Sequence, residues 1–120
     1  MRYFFRSLQF AVNGIYFFFR RERNGQIQGV IAVTVMVAGI VLGVSRLEWL
    51  ALLLCTAMVI SLEMLNSAIE RICNMYTTDF HPAIKIIKDV AAAAVLWSAV
   101  IALVVGVIVF LPHLVALLNG

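Results

Sequence analysis

Charge is what this sequence has least of. Only 12% of its 120 residues are Asp, Glu, Lys or Arg, about half the share usual in a soluble domain. Hydrophobic residues make up 64%, and a chain this short has too little interior to hide them from water. That excludes an ordinary soluble enzyme, and so much apolar surface also excludes intrinsic disorder. Seven glycines without a period exclude a collagen-like chain. The two cysteines, Cys55 and Cys73, lie inside one predicted span and at its inner end, with no histidine near either in sequence. They read as small buried side chains rather than a disulfide. Internal repeats and low-complexity tracts are also missing. One domain, residues 1–120, of membrane-embedded helices is what remains.

The few charges divide the chain. No charge falls between Arg23 and Arg46, a stretch of 22 residues, and none falls in the 31 residues after Asp89. At about 1.5 Å per helical residue, either stretch crosses roughly 30 Å of hydrocarbon. A third apolar run, Trp49–Leu62, has 14 residues before Glu63 interrupts it. With no soluble core to enter, it reads as the outer part of a span that continues through Glu63. The expectation is an all-α membrane protein with three transmembrane helices, near 26–46, 48–74 and 90–111. Pro112 is expected to mark the outer end of the third, and Gly39 and Gly43 form a G-x-x-x-G pair that permits close helix approach.

Ahead of these spans, Arg2, Arg6, Gln9, Asn13, Tyr16 and Arg20 recur at alternating spacings of four and three. That is one face of a helix. Phe4, Phe5, Leu8, Val12, Ile15, Phe18 and Phe19 form the other face. Residues 1–20 therefore read as an amphipathic surface helix, its rings in lipid and its arginines among headgroups. Eight of the nine basic residues precede span 1 or lie at the inner end of the hairpin joining spans 2 and 3. This places the N-terminus and that hairpin in the cytoplasm and the C-terminus outside. The net charge of +3 describes a basic rim suited to anionic lipid or phosphate, with little to support nucleic-acid binding.

Two carboxylates, Glu63 and Glu70, sit in or beside the inner half of span 2. A charge deep in a bilayer costs at least about 2.5–3.5 kcal/mol, and packing does not require it. Glu63, Asn66, Ser67, Glu70 and Asn74 share one helix face. Glu63 and Glu70 are about 10 Å apart along the axis, too far to chelate one ion together but able to serve opposite ends of one reactive centre. Glu22, Lys85, Lys88 and Asp89 enter the other spans from the same side. Carboxylates joined by lysines at a membrane surface suit a magnesium–polyphosphate complex. Taken alone, Glu63 is equally an ion or proton site, so a small oligomeric ion or proton transporter stays open. Gln28 divides evenly between the nucleotide entrance and helix–helix hydrogen bonding. Ser67 reads as a packing residue, and His81 as a residue that caps or packs the loop before Pro82.

Soluble-kinase equipment is absent. The chain has no G-x-x-x-x-G-K-S/T, no G-x-G-x-x-G and no H-R-D or D-F-G run. The run E-M-L-N-S-A-I-E at Glu63–Glu70, with E-R-N at Glu22–Asn24 and K-D-V-A-A-A-A-V at Lys88–Val95, instead resembles the small prokaryotic integral-membrane diacylglycerol kinase and undecaprenol kinase family. The resemblance covers nearly the whole chain and lies nearer the undecaprenol kinase branch. It implies a bacterial cell-membrane homotrimer with active sites between subunits, moving the γ-phosphate of Mg-ATP to a lipid hydroxyl, of undecaprenol or alternatively of diacylglycerol. By the same resemblance Glu22 and Glu70 hold Mg²⁺, and Glu63 orients or deprotonates the hydroxyl. Asn66 fixes that carboxylate and the phosphates, Lys88 neutralises the transferring phosphate, and Asp89 binds on the nucleotide side. The family's motif usually carries Asp where this chain has Asn74.

Overall fold

The computed structural model describes residues 1–120 and is entirely helical. Helix α1 spans Arg2–Arg21, α2 Arg23–Leu42, α3 Arg46–Tyr76 and α4 Pro82–Asn119. The last three are long and apolar enough to cross a membrane, and α1 is the amphipathic helix ahead of them. At about 1.5 Å per residue, the 31 residues of α3 and 38 of α4 run roughly 46 and 57 Å. Both are longer than the roughly 30 Å of hydrocarbon.

The helix boundaries differ from the sequence expectation for local reasons. Helix α2 stops at Leu42 because Gly43 takes the left-handed conformation (φ 65°, ψ 49°) and returns its N–H to the Gly39 carbonyl. Helix α3 starts at Arg46 because of a reciprocal cap. Ser45 Oγ accepts from the Glu48 N–H at 3.2 Å, and Glu48 Oε1 accepts from the Ser45 N–H at 2.9 Å. Of the G-x-x-x-G pair, only Gly39 serves close helix approach. Gly43 ends the helix, while Gly39 makes room for an indole, since a Cβ there would lie 2.6 Å from the Trp49 ring. Pro112 does not end the helix: α4 continues to Asn119. Proline removes one backbone donor, but the flanking leucines, valines and alanines hold the helical path. His113 Nε2 also lies 3.1 Å from Glu48 Oε1, tying the segment beyond Pro112 to α3.

Antiparallel α3 and α4 form the main contact, and α2 leans on both. Near the Ser45 turn Val44, Leu52 and Val109 are buried together, with Val35, Trp49, Val105 and Phe110 packed on them. Only 11 of 120 residues are buried, so most apolar side chains face outward, as hydrocarbon solvent allows.

Candidate active site

The site is assembled at the α1–α2 corner. Glu22 is the single extended residue (φ −91°, ψ 129°) between two helices. The fold brings α1 so close to α2 that a Cβ on Gly25 would collide with the Phe18 carbonyl oxygen. Gly25 and Gly29, in the first two turns of α2, lie against Phe18 and Phe19. This crossing sets Glu22 over α3. There Arg71 Nε and Nη2 both donate to Glu22 Oε1, at 2.9 and 2.8 Å. The guanidinium carbon sits 4.7 Å from the Phe17 ring centroid, so α1 and α3 share one arginine.

Further into the bundle Glu63 is 6% exposed. Asn24 Nδ2, from the second residue of α2, donates to its Oε1 at 3.0 Å. Asn66 is equally buried and donates through Nδ2 to Glu70 Oε1 at 3.3 Å. Its Oδ1 is buried with no donor, a rare condition in a folded protein. Toward the α3–α4 loop, Lys88 Nζ donates to Asn74 Oδ1 at 2.7 Å. His81 caps α4, its Nδ1 accepting from the Ala83 N–H at 3.2 Å, as the sequence suggested.

Glu22, Asn24, Ser67, Glu70, Arg71, Asn74 and Met75 line one open cavity of about 540 Å³. Ser67, read as a packing residue, belongs to this lining. Glu63 lies one hydrogen bond behind the cavity through Asn24, Asn66 one bond behind Glu70, and Lys88 one bond behind Asn74. Asp89 is not drawn in: it pairs with Lys85 at 2.6 Å, both side chains more than half exposed. Gln28 lines a separate apolar cleft rather than the polar cavity. Three contacts escaped the sequence reading: Asn24–Glu63, Arg71–Glu22 and Glu48–His113. They join residues 39 to 65 positions apart, and only Asn24's place in E-R-N marked any of them.

The cavity is rich in hard oxygen donors. No three His, Cys, Asp or Glu side chains converge, so a caged transition-metal site is not built here. Two carboxylates with amide and hydroxyl oxygens in an open cavity fit Mg²⁺, which keeps positions for phosphate and water. Glu22 uses Oε1 for Arg71, and no bond engages its Oε2.

Comparison with known proteins then decides the lineage. The profile of the prokaryotic diacylglycerol kinase family matches residues 9–110. This chain belongs to that family. It is 40% identical over 111 residues to an undecaprenol kinase of Bacillus subtilis, covering 92% of this chain and 90% of that one. It is 34% identical over 113 residues to a diacylglycerol kinase of Synechocystis, covering 93% of this chain and 65% of that protein. A diacylglycerol kinase of Helicobacter pylori is 30% identical over 90 residues, 75% of this chain and 70% of its own. As a member of the prokaryotic diacylglycerol kinase family, the protein is a multi-pass membrane phosphotransferase acting on lipid.

Proposed function

We propose that the protein transfers the γ-phosphate of Mg-ATP to the hydroxyl of undecaprenol, giving undecaprenyl phosphate. One observation carries the reading. A polar cavity lined by Glu22 and Glu70 adjoins a buried Glu63 and an Asn66 oxygen with no donor. A nucleotide suits the cavity, and an alcohol O–H is what an unsatisfied buried acceptor lacks. The 40% identity to an undecaprenol kinase along nearly the whole chain favours the polyprenol over diacylglycerol.

In this mechanism Glu22 and Glu70 hold Mg²⁺, which when bound offsets charge on the phosphate oxygens. Arg71 fixes Glu22 through one oxygen and leaves the other available. Asn24 holds Glu63 by Oε1, and no bond engages its other oxygen. That free oxygen takes the proton of the acceptor hydroxyl as the alcohol attacks the γ-phosphorus in line, and the bond from that phosphorus to the β,γ-bridging oxygen breaks to release ADP. Asn66 steadies Glu70 and accepts a hydrogen bond in the acceptor's approach. Lys88, held by Asn74, offsets charge on the transferring group. Asn74 in place of Asp makes that contact a neutral acceptor, which leaves Lys88 uncompensated for phosphate. Asp89, paired with Lys85 at the rim, binds on the nucleotide side once Lys85 turns to phosphate. Helix positions supply alignment, and burial of Glu63 keeps water from competing for the phosphoryl group.

The proposal includes the cell membrane as location, with the N-terminus and the 77–81 loop cytoplasmic, the C-terminus outside, and a homotrimer as the working unit. Purified protein in mixed micelles, given γ-labelled ATP and either lipid, tests it. Label should pass to undecaprenol faster than to diacylglycerol and only with magnesium. Preferential labelling of diacylglycerol would reverse the acceptor assignment.

A further inference from the structure

The polar cavity accounts for a nucleotide and a hydroxyl but not for the hydrocarbon attached to it. A second cavity lies between α2, α3 and α4, of about 610 Å³, and 14 of its 17 lining residues are hydrophobic. Of its two polar side chains, Thr56 spends its proton on the Leu52 carbonyl at 2.7 Å, leaving Gln28 as the one free donor on the wall. A cavity this dry suits an alkyl or prenyl chain and no polar ligand.

Its position follows from helix register. Val59 is one turn from Glu63 on α3, and Gln28 one turn from Asn24 on α2, each pair on one helix face. The apolar cleft therefore begins one turn beyond the Asn24–Glu63 contact, on the side of Glu63 that points away from Asn66 and Glu70. On α4, Ala99, Ala102 and Gly106 recur at spacings of three and four and face the same space. Asn74 opposite Lys88, Leu52 beside Val109 and Glu48 opposite His113 fix the antiparallel register. Ala99 then falls at the depth of Glu63, Ala102 near Val59 and Gly106 near Cys55, the last about 12 Å along the axis from Glu63. A Cβ added at Gly106 meets nothing within 4 Å, so the wall is set back there and a larger side chain enters the cleft without displacing backbone.

We propose that this intrachain cleft holds the first part of a single-chain acceptor's hydrocarbon, and that Ala99, Ala102 and Gly106 act as a length gauge along it. The proposal rests on the lipid-kinase reading above and adds the path of the chain. A cleft of about 610 Å³ between three helices, beginning one turn from Glu63, suits one hydrocarbon chain; on this proposal a diacylglycerol would leave its second chain outside. A helix of a second copy could also cover the α4 stripe, yet it would bring no hydroxyl to the polar end.

The test uses the full-length protein in mixed micelles with geraniol, farnesol, geranylgeraniol, undecaprenol and a diacylglycerol as acceptors. The variants are Ala102→Leu and Gly106→Leu, with Val104→Leu on the outward face of α4 as the control. In the parent, kcat/KM should rise with prenol length until the cleft is filled. Gly106→Leu should depress kcat/KM for the long prenols about tenfold more than for geraniol, and Ala102→Leu should move that break to shorter acceptors. Equal losses at every length would overturn the gauge while leaving the kinase reading intact. A change in detergent-complex mass in both variants would make the cleft an interface between copies and overturn it too. Failure of the parent to phosphorylate any lipid would remove both readings together.

Discussion

Replacing Glu63 by Gln separates chemistry from stability, because the two effects have opposite signs. The amide has nearly the shape of the carboxylate and can still accept the 3.0 Å hydrogen bond from Asn24, so the α2–α3 contact survives. What is lost is basicity. Removing a positioned base costs about 10²–10⁴-fold in rate, here read in kcat since the nucleotide cavity is not lined by Glu63. The fold loses nothing comparable. A carboxylate only 6% exposed at membrane depth carries a cost of about 2.5–3.5 kcal/mol on insertion scales, and the neutral amide escapes part of it. Glu63→Gln should therefore melt at or above the parent temperature in detergent while its turnover falls at least about a hundredfold. The assay is label transfer from ATP to lipid beside a thermal unfolding curve of the same preparation. Parent-level turnover in the folded variant would refute the base assignment; lost turnover together with lower stability would refute the reasoning about its buried charge.

Three further outcomes follow from named contacts. Glu22→Gln should leave thermal stability within about 1 kcal/mol, because its partner Arg71 is 60% exposed and such pairs are weak; magnesium titration of activity should nevertheless shift to higher concentration. Gly25→Val forces α1 off α2, since its first side-chain carbon already overlaps the Phe18 carbonyl; it should cost about 1–3 kcal/mol in unfolding and lower activity by moving Glu22. Ser45→Ala removes the reciprocal cap of α3 and should cost about 1 kcal/mol in a denaturation series, with the KM for ATP unchanged, because that turn lies at the end of α3 remote from the nucleotide.

Much of this architecture could be seen in the amino-acid order, because bilayer physics leaves few options. Uncharged runs of sufficient length must be helices, and the alternating spacing of Arg2, Arg6, Gln9 and Asn13 encodes α1 directly. The shared face of Glu63, Asn66 and Glu70 needs only the helical repeat. What the order concealed depends on contacts between distant residues. Arg71 meets Glu22 across 49 positions and His113 meets Glu48 across 65, and no periodicity links either pair. The helix ends depart from the expected spans for local reasons: the Ser45–Glu48 cap starts α3 at Arg46, two residues before position 48, and α4 runs on through Pro112. Asp89 was placed beside Lys88 by the order of residues, but its exposed pairing with Lys85 is a contact that the order alone did not single out.

The division of labour between the two carboxylate layers is the central claim, and manganese–ATP affinity read by electron paramagnetic resonance tests it most directly. Glu70→Gln, in the cavity lining, should weaken binding of the metal nucleotide by about tenfold or more. Glu63→Gln, one hydrogen bond behind the cavity through Asn24, should bind it as the parent does. Equal affinity in parent and Glu70→Gln, or a larger loss in Glu63→Gln, would contradict the placement of the nucleotide at Glu22 and Glu70.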